Sequence, residues 1–225
     1  MSVETRIPKD IMESGAWLDD PLYFVAMAWP DIKLYKQQAE ILVSVKDNIE
    51  TYCHAAHELG KDFIAAIAVL WFFSSRAPCK IITTSSNQDQ LRNVLWAEMK
   101  TLIEMSKLPL DIDMGDMRVR RVRPDKSFDP SSIILGKVVQ AGESFAGFHL
   151  GIDDKPRTLC VFDEASSISD VFYDSATSWA DRILAIGNPL PCTNFFYRGC
   201  RGGDLKDPAD VLIEDEERRL AARDR

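Results

Sequence analysis

The sequence predicts an α/β fold of the three-layer sandwich type, with a mostly parallel central sheet and helices on both faces. Three observations lead there. Apolar strands and helical segments alternate along the chain, as βαβ units do. The longest apolar run, "FIAAIAVLWFF" (63–73), reads as a helix apolar nearly all round, as expected beneath a central sheet. Three apolar strands run into Gly60-Lys61-Asp62, Asp163-Glu164 and Gly187-Asn188, and ligands of parallel sheets bind at that carboxyl edge.

Composition narrows the class. The 225 residues are 46% hydrophobic and 28% charged, enough for one sizeable core with short appendages. An eleven-residue apolar run falls short of the roughly 20 residues that span a bilayer. The start, "MSVETRIPKDIMES", lacks the basic and apolar regions of a secretory signal, so a cytoplasmic setting is expected. Five cysteines without CxxC spacing point to reduced, buried thiols rather than zinc or disulfides. A net charge of −8 argues against a wholly nucleic-acid-binding surface and leaves room for a local basic patch.

Residues 1–30, with Pro8, Pro21 and Pro30, read as a partly helical lead-in; 31–200 as the main domain; 201–225 as a charged helical tail or the start of a linker. In "DIKLYKQQAEILVSVKD", Leu34, Gln38, Ile41, Leu42 and Val45 recur at helical spacing, and the helix ends near Asn48. "ETYCHAA" is a strand into a turn, followed by the buried helix. "CKIITTSS" is a second strand ending in hydroxyls, and a long helix covers about 88–107. "MRVRRVRP" and "SSIILGKVVQ" read as strands, with Arg118, Arg120, Arg121 and Arg123 on alternate faces of the first. "RTLCVFDEAS" and "DRILAIGNP" frame a helix around 171–179, and the chain after Pro191 reads as loop-rich. The strands near 51, 81, 160 and 184 are expected side by side at the sheet's centre.

"HAAHELGKDF" is a deviant form of the phosphate-binding loop GxxxxGK[ST]: Ala55 stands for the first glycine and Asp62 for the metal-binding hydroxyl. Backbone N–H groups of the turn through His57, Glu58, Leu59 and Gly60, and of the helix start, would face an anion. Lys61 would reach β- and γ-phosphate oxygens. Asp62 adds negative charge beside a triphosphate while offering an oxygen to Mg²⁺. The competing reading of the turn is a plain helix start, with Asp62 favoured by the dipole.

"TLCVFDEAS" delivers Asp163 and Glu164 to the end of a buried strand. Asp163 would hold Mg²⁺ through water, and Glu164 would activate the water for in-line attack on the γ-phosphoryl group. In "LAIGNP", Asn188 is placed to sense the γ-phosphate; an ordinary strand-to-turn exit is the alternative.

These features, in order, resemble the N-terminal ATPase domain of the large terminase subunit, the DNA-packaging motor of tailed phages. The resemblance covers roughly residues 30–200 and rests on "YKQQAEIL", "HELGKD", "IITTSSNQDQLRNVLWAEM", "ESFAGFH", "CVFDEAS" and "GNP". It implies a P-loop NTPase fold of the RecA-like class and an ATP- and Mg²⁺-dependent hydrolase acting on double-stranded DNA. Gln38 and Gln37 would contact adenine, and Asn188 would couple hydrolysis to movement. Implied partners are a small terminase subunit, a portal protein and further copies of the chain in a ring, inside the infected bacterium. Many relatives place a trans-acting arginine just upstream of the Walker B strand. Here Arg157 is the candidate, an ordinary surface arginine being the other reading. The RNase H-like nuclease domain of such proteins is not expected within these residues.

Other readings stay open. A RecA-like helicase or recombination ATPase would share the loop and the Asp-Glu pair. A nucleotide-binding scaffold with a decayed site would explain Ala55 and Asp62.

Overall fold

The computed structural model describes residues 16–55, 60–138, 147–150, 155–188 and 191–201. Two short helices open the described part of the chain, α1 (Ala16–Asp19) and α2 (Pro21–Ala28). Asp20 caps α2, accepting the Leu22 and Tyr23 N–H groups at 2.8 and 3.2 Å, while Pro21 occupies the first turn where no N–H is missed. The amphipathic helix α3 (Lys36–Asp47) buries Gln38, Leu42 and Val45.

Strand β1 (Glu50–His54) leads to α4 (Lys61–Ser75), in which every residue from Ile64 to Phe73 is buried. It lies between the sheet and the other helices, which is why its sequence shows no polar face. Two indole N–H groups tie the outer helices to this layer. Trp71 donates to the Leu18 carbonyl at 2.9 Å, and Trp29 donates to the Leu102 carbonyl at 2.8 Å.

After β2 (Lys80–Ser85) comes α5 (88–105), α-helical at Gln88–Gln90 and Ala97–Met105 with a π-helical stretch, Leu91–Trp96, between them. Then follow β3 (Ile112–Gly115), β4 (Arg118–Val122), β5 (Phe128–Val138), β6 (Thr158–Phe162), a 3₁₀ turn (Ala165–Ser167), α6 (Asp170–Thr177), β7 (Arg182–Gly187) and α7 (Phe195–Cys200).

Among the described residues the sheet order is β1-β7-β6-β2-β5-β4-β3. The first five are parallel, and β4 and β3 extend the sheet antiparallel beyond β5. The strands near 51, 184, 160 and 81 are adjacent as expected, but β1 sits at an edge of the described sheet and the centre belongs to β6 and β2. Strand alternation splits the core between two layers. Leu159, Val161, Leu184 and Ile186 pack with α4, whereas Cys160, Phe162, Ile183 and Ala185 pack with Trp179, Phe195 and Phe196 on the opposite face. Two expectations need correction. Part of the segment after Pro191 is helical, held by burial of Phe195 and Phe196, and β3 completes an antiparallel wing that sequence periodicity did not show.

All five cysteines are free thiols. No helix among the described residues is long and apolar enough to cross a membrane.

Candidate functional site

Five side chains meet at the carboxyl ends of adjacent strands, those of Lys61, Asp62, Asp163, Glu164 and Asn188. Lys61, on the first turn of α4, places its ammonium 3.0 Å from Glu164 Oε1 and 3.5 Å from Asp62 Oδ2. Asn188, just past β7, donates through Nδ2 to both Glu164 oxygens at 3.2 Å. Asp163, just past β6, is fully buried, and neither carboxylate oxygen has a hydrogen-bond partner among the described residues. The sheet order makes this convergence inevitable, because β7 lies between β1 and β6.

Local backbone geometry fixes each group. Gly60 precedes α4 with φ +73, a left-handed conformation that glycine adopts without strain, and a Cβ there would come within 2.8 Å of Gln38 Nε2. Glu164 is itself left-handed, at φ 51 and ψ 48, a conformation that costs a non-glycine residue on the order of 1–3 kcal/mol. The turn that imposes it is pinned by Asn194, whose amide donates to the Ala165 and Ile168 carbonyls at 2.8 and 2.7 Å. Gly187 permits the close approach: a Cβ there would lie 3.2 Å from the Ala165 nitrogen and 3.1 Å from the Phe196 ring.

Charge follows from this geometry. Burial works to lower the Lys61 pKa, but the hydrogen bond to Glu164 and the charges of Asp62, Glu164 and Asp163 outweigh it and raise it. Asp163 moves the other way from an ordinary carboxylate. Burial, reinforced by Asp62 and Glu164 and only partly offset by Lys61, pushes it up to about 7.

The predicted residues are thus sorted by the structure. Lys61, Asp62, Asp163, Glu164 and Asn188 come together, with Gly60 and Ala55 at the rim; the Ala55 N–H donates to the Gly187 carbonyl at 3.0 Å. Gln38 lies against Gly60 and is buried, its Oε1 taking the Tyr35 N–H at 3.0 Å, whereas Gln37 on the same helix is exposed. His57, Glu58, Leu59, Pro189 and most of "ESFAGFH" lie outside the described residues. Arg157 stands before β6, about 20 Å of extended chain from Asp163. Its guanidinium donates to the Ala77 and Pro78 carbonyls at 2.7 and 3.4 Å. Sequence reasoning missed Thr84 and Asn194. Thr84 is buried on the strand beside β6, its carbonyl accepts the Asp163 N–H at 2.7 Å, and its hydroxyl has no partner among the described residues.

No protein-family model and no curated protein matches the sequence. Solved structures do match. The large terminase ATPase domain of Thermus phage P74-26 aligns with a TM-score of 0.54 at 14% identity, over 79% of this chain and 72% of that one. The chain shares the fold of large terminase ATPase domains. The HK97 bacteriophage large terminase aligns with a TM-score of 0.51 at 13% identity over 76% of this chain, which spans 37% of that protein. A large terminase from a thermophilic bacteriophage gives 0.51 at 14% identity over 76% of this chain and 42% of its own. The sheet is that of the P-loop NTPase fold, with Lys61 opening the helix that follows β1 and Asp163-Glu164 just past β6.

Proposed function

We propose that this chain hydrolyses ATP to drive double-stranded DNA into a viral procapsid, as the ATPase domain of a terminase-type packaging motor. The observation that carries the reading is the meeting of Lys61, Asp163, Glu164 and Asn188 at one sheet edge, on a fold shared with terminase ATPase domains.

The residues suit Mg²⁺–ATP. Asp163 offers two buried oxygens without partners among the described residues and Asp62 a third, an all-oxygen set suited to a hard cation. One or two carboxylates commonly suffice for Mg²⁺ when substrate phosphates complete the shell. The ion would neutralise charge building on the β- and γ-phosphates. Lys61 would bind the same phosphates from the helix start, and Gln38, beside Gly60, with Gln37 exposed next to it, would contact adenine. Glu164 takes the proton from water as its oxygen bonds to Pγ and the Pγ–O bond to ADP breaks. Asn188, already bonded to Glu164, links that carboxylate to β7 and is the coupling residue. Within the motor, Arg157 would serve a neighbouring copy's site. The chain would work as a ring with a portal protein and a small terminase subunit, in the infected bacterium's cytoplasm.

Titration with a fluorescent ATP analogue, with and without Mg²⁺, tests the reading directly. Micromolar, Mg²⁺-dependent binding that is lost in Lys61→Ala supports it; equal binding by Lys61→Ala and the unmodified chain overturns it.

A further inference from the structure

The antiparallel wing has one covered and one open face. Val119 and Ile134 are buried in the α4 and α5 layer, with Met114 and Met117 packed against it. On the other face, Arg118 and Arg120 of β4 lie opposite Leu135 and Ile133 of β5, with Lys137 two residues further along the same face. Arg118, Arg120 and Lys137 line a cleft of about 440 Å³, together with Asp116 and Gly136.

The charge of this cleft opposes that of the chain, which is −8 overall. Asp113 binds Arg120 at 2.6 Å, and Asp116 at the cleft's lip is held by Arg92 at 2.9 Å. Both carboxylates are therefore already neutralised. Arg118 is exposed with no acidic partner among the described residues, and Lys137 sits 4.9 Å above the Phe148 ring, which leaves its charge unspent.

We infer that the open face of the β3–β4–β5 wing is a contact surface for the phosphodiester backbone of a DNA duplex, with Arg118 and Lys137 as its phosphate-binding cations. The inference rests on the packaging reading and adds to it the surface that meets the substrate. A duplex fits better than a single strand. Single-strand platforms stack bases on open aromatic rings, and here Phe128 is capped by the Arg120 guanidinium at 3.6 Å while Phe148 lies under Lys137. The cations remain for phosphates, without a means of reading bases. The position also suits a motor. β2 and β5 run parallel with Ser85 beside Val138, so Lys137 and the nucleotide-binding groups lie along the same sheet edge.

The test is fluorescence anisotropy of a short labelled duplex with the 225-residue chain across a salt series, beside the ATP-analogue titration. Arg118→Ala and Lys137→Ala are each expected to weaken duplex binding several-fold at low salt, irrespective of sequence. Each should also reduce the slope of log affinity against log salt by about one. Lys100→Ala, exposed on α5, serves as the control and should change neither. All three should bind the ATP analogue as the unmodified chain does. Unchanged duplex affinity and slope in both wing variants, with ATP binding intact, overturns the inference and leaves the packaging reading standing. Loss of ATP binding by the unmodified chain removes that reading instead. Binding of an acidic peptide to this face in preference to the duplex also overturns the inference, by assigning the surface to a protein partner.

Discussion

Lys61 and Glu164 form an ion pair at 3.0 Å, joining the proposed phosphate-binding lysine directly to the proposed general base. Phosphates bound at the turn, as proposed, would compete with Glu164 for the three Lys61 donors and weaken this pair. Under the proposed function, nucleotide binding would draw Lys61 towards phosphate and leave Asn188 as the remaining side-chain partner of Glu164 among the described residues. Glu164→Gln keeps the shape but cannot accept a proton from water. ATP binding is expected to stay within a few-fold and turnover to fall by about 100-fold or more, measured as phosphate release. Equal loss of both would mark Glu164 as structural.

Lys61→Ala removes a charge-assisted contact worth roughly 2 kcal/mol or more and is expected to abolish measurable nucleotide affinity. It also leaves Asp62, Asp163 and Glu164 without their nearby cation, so the thermal midpoint should fall. Asp62→Ser is expected to retain binding or tighten it, since a hydroxyl replaces a negative charge beside the triphosphate. Calorimetry of both variants separates the two effects. A Ser variant that loses Mg²⁺-dependent binding would assign Asp62 an essential ligand role.

Asp163 contributes a stability penalty whose sign can be worked out. Its folded pKa of about 7 lies above the ordinary aspartate value of 3.8, so between those limits the folded chain keeps a proton that the unfolded chain has lost. Stability from this group is present at low pH and declines as pH rises through that window. Asp163→Asn removes the charge and is expected to stabilise the metal-free chain by on the order of 1–3 kcal/mol at pH 8, with a smaller gain at pH 5. Thermal melts at the two pH values check this, and a gain independent of pH would exclude the charge as its cause. The same variant should lose Mg²⁺-dependent nucleotide binding.

Gly60→Ala faces two obstacles, a positive φ and the Gln38 amide 2.8 Å from the added methyl. Each is separable. The substitution is expected to cost about 1–2 kcal/mol from the backbone alone, and more while Gln38 is present. Adding Gln38→Ala should recover only the steric part in a double-mutant cycle of denaturant melts. Full recovery would show that the left-handed conformation carries no cost here.

The elements legible in the sequence were those with one dominant period. α4 is apolar on all sides, β6 and β7 are apolar runs ending at polar groups, and these alone brought Lys61, Asp163, Glu164 and Asn188 to one edge. The wing was only half legible, because β3 offers four residues of mixed character and gains its strand form from pairing with β4. α7 was hidden between Pro191 and Gly199, its helix secured by burial of Phe195 and Phe196 rather than by propensity. Asn194 was invisible for a different reason. Its role is a pair of hydrogen bonds to carbonyls 29 and 26 residues earlier, and no local pattern encodes them. The bonds of the Arg157 guanidinium to the Ala77 and Pro78 carbonyls, 80 and 79 residues earlier, were hidden for the same reason.

The pairing of β1 with β7 joins Glu50 to Ile183, a closure spanning most of the domain, whereas β3, β4 and β5 are linked by short turns. Loop-closure entropy favours the local meander early and the distant pair late. An intermediate with β2 and β5 formed but β1 undocked would have the wing in place and no seat for a triphosphate. Under the proposed function, a capacity to bind ATP would arise only once β1 has docked, and its recovery during refolding is expected to time that step.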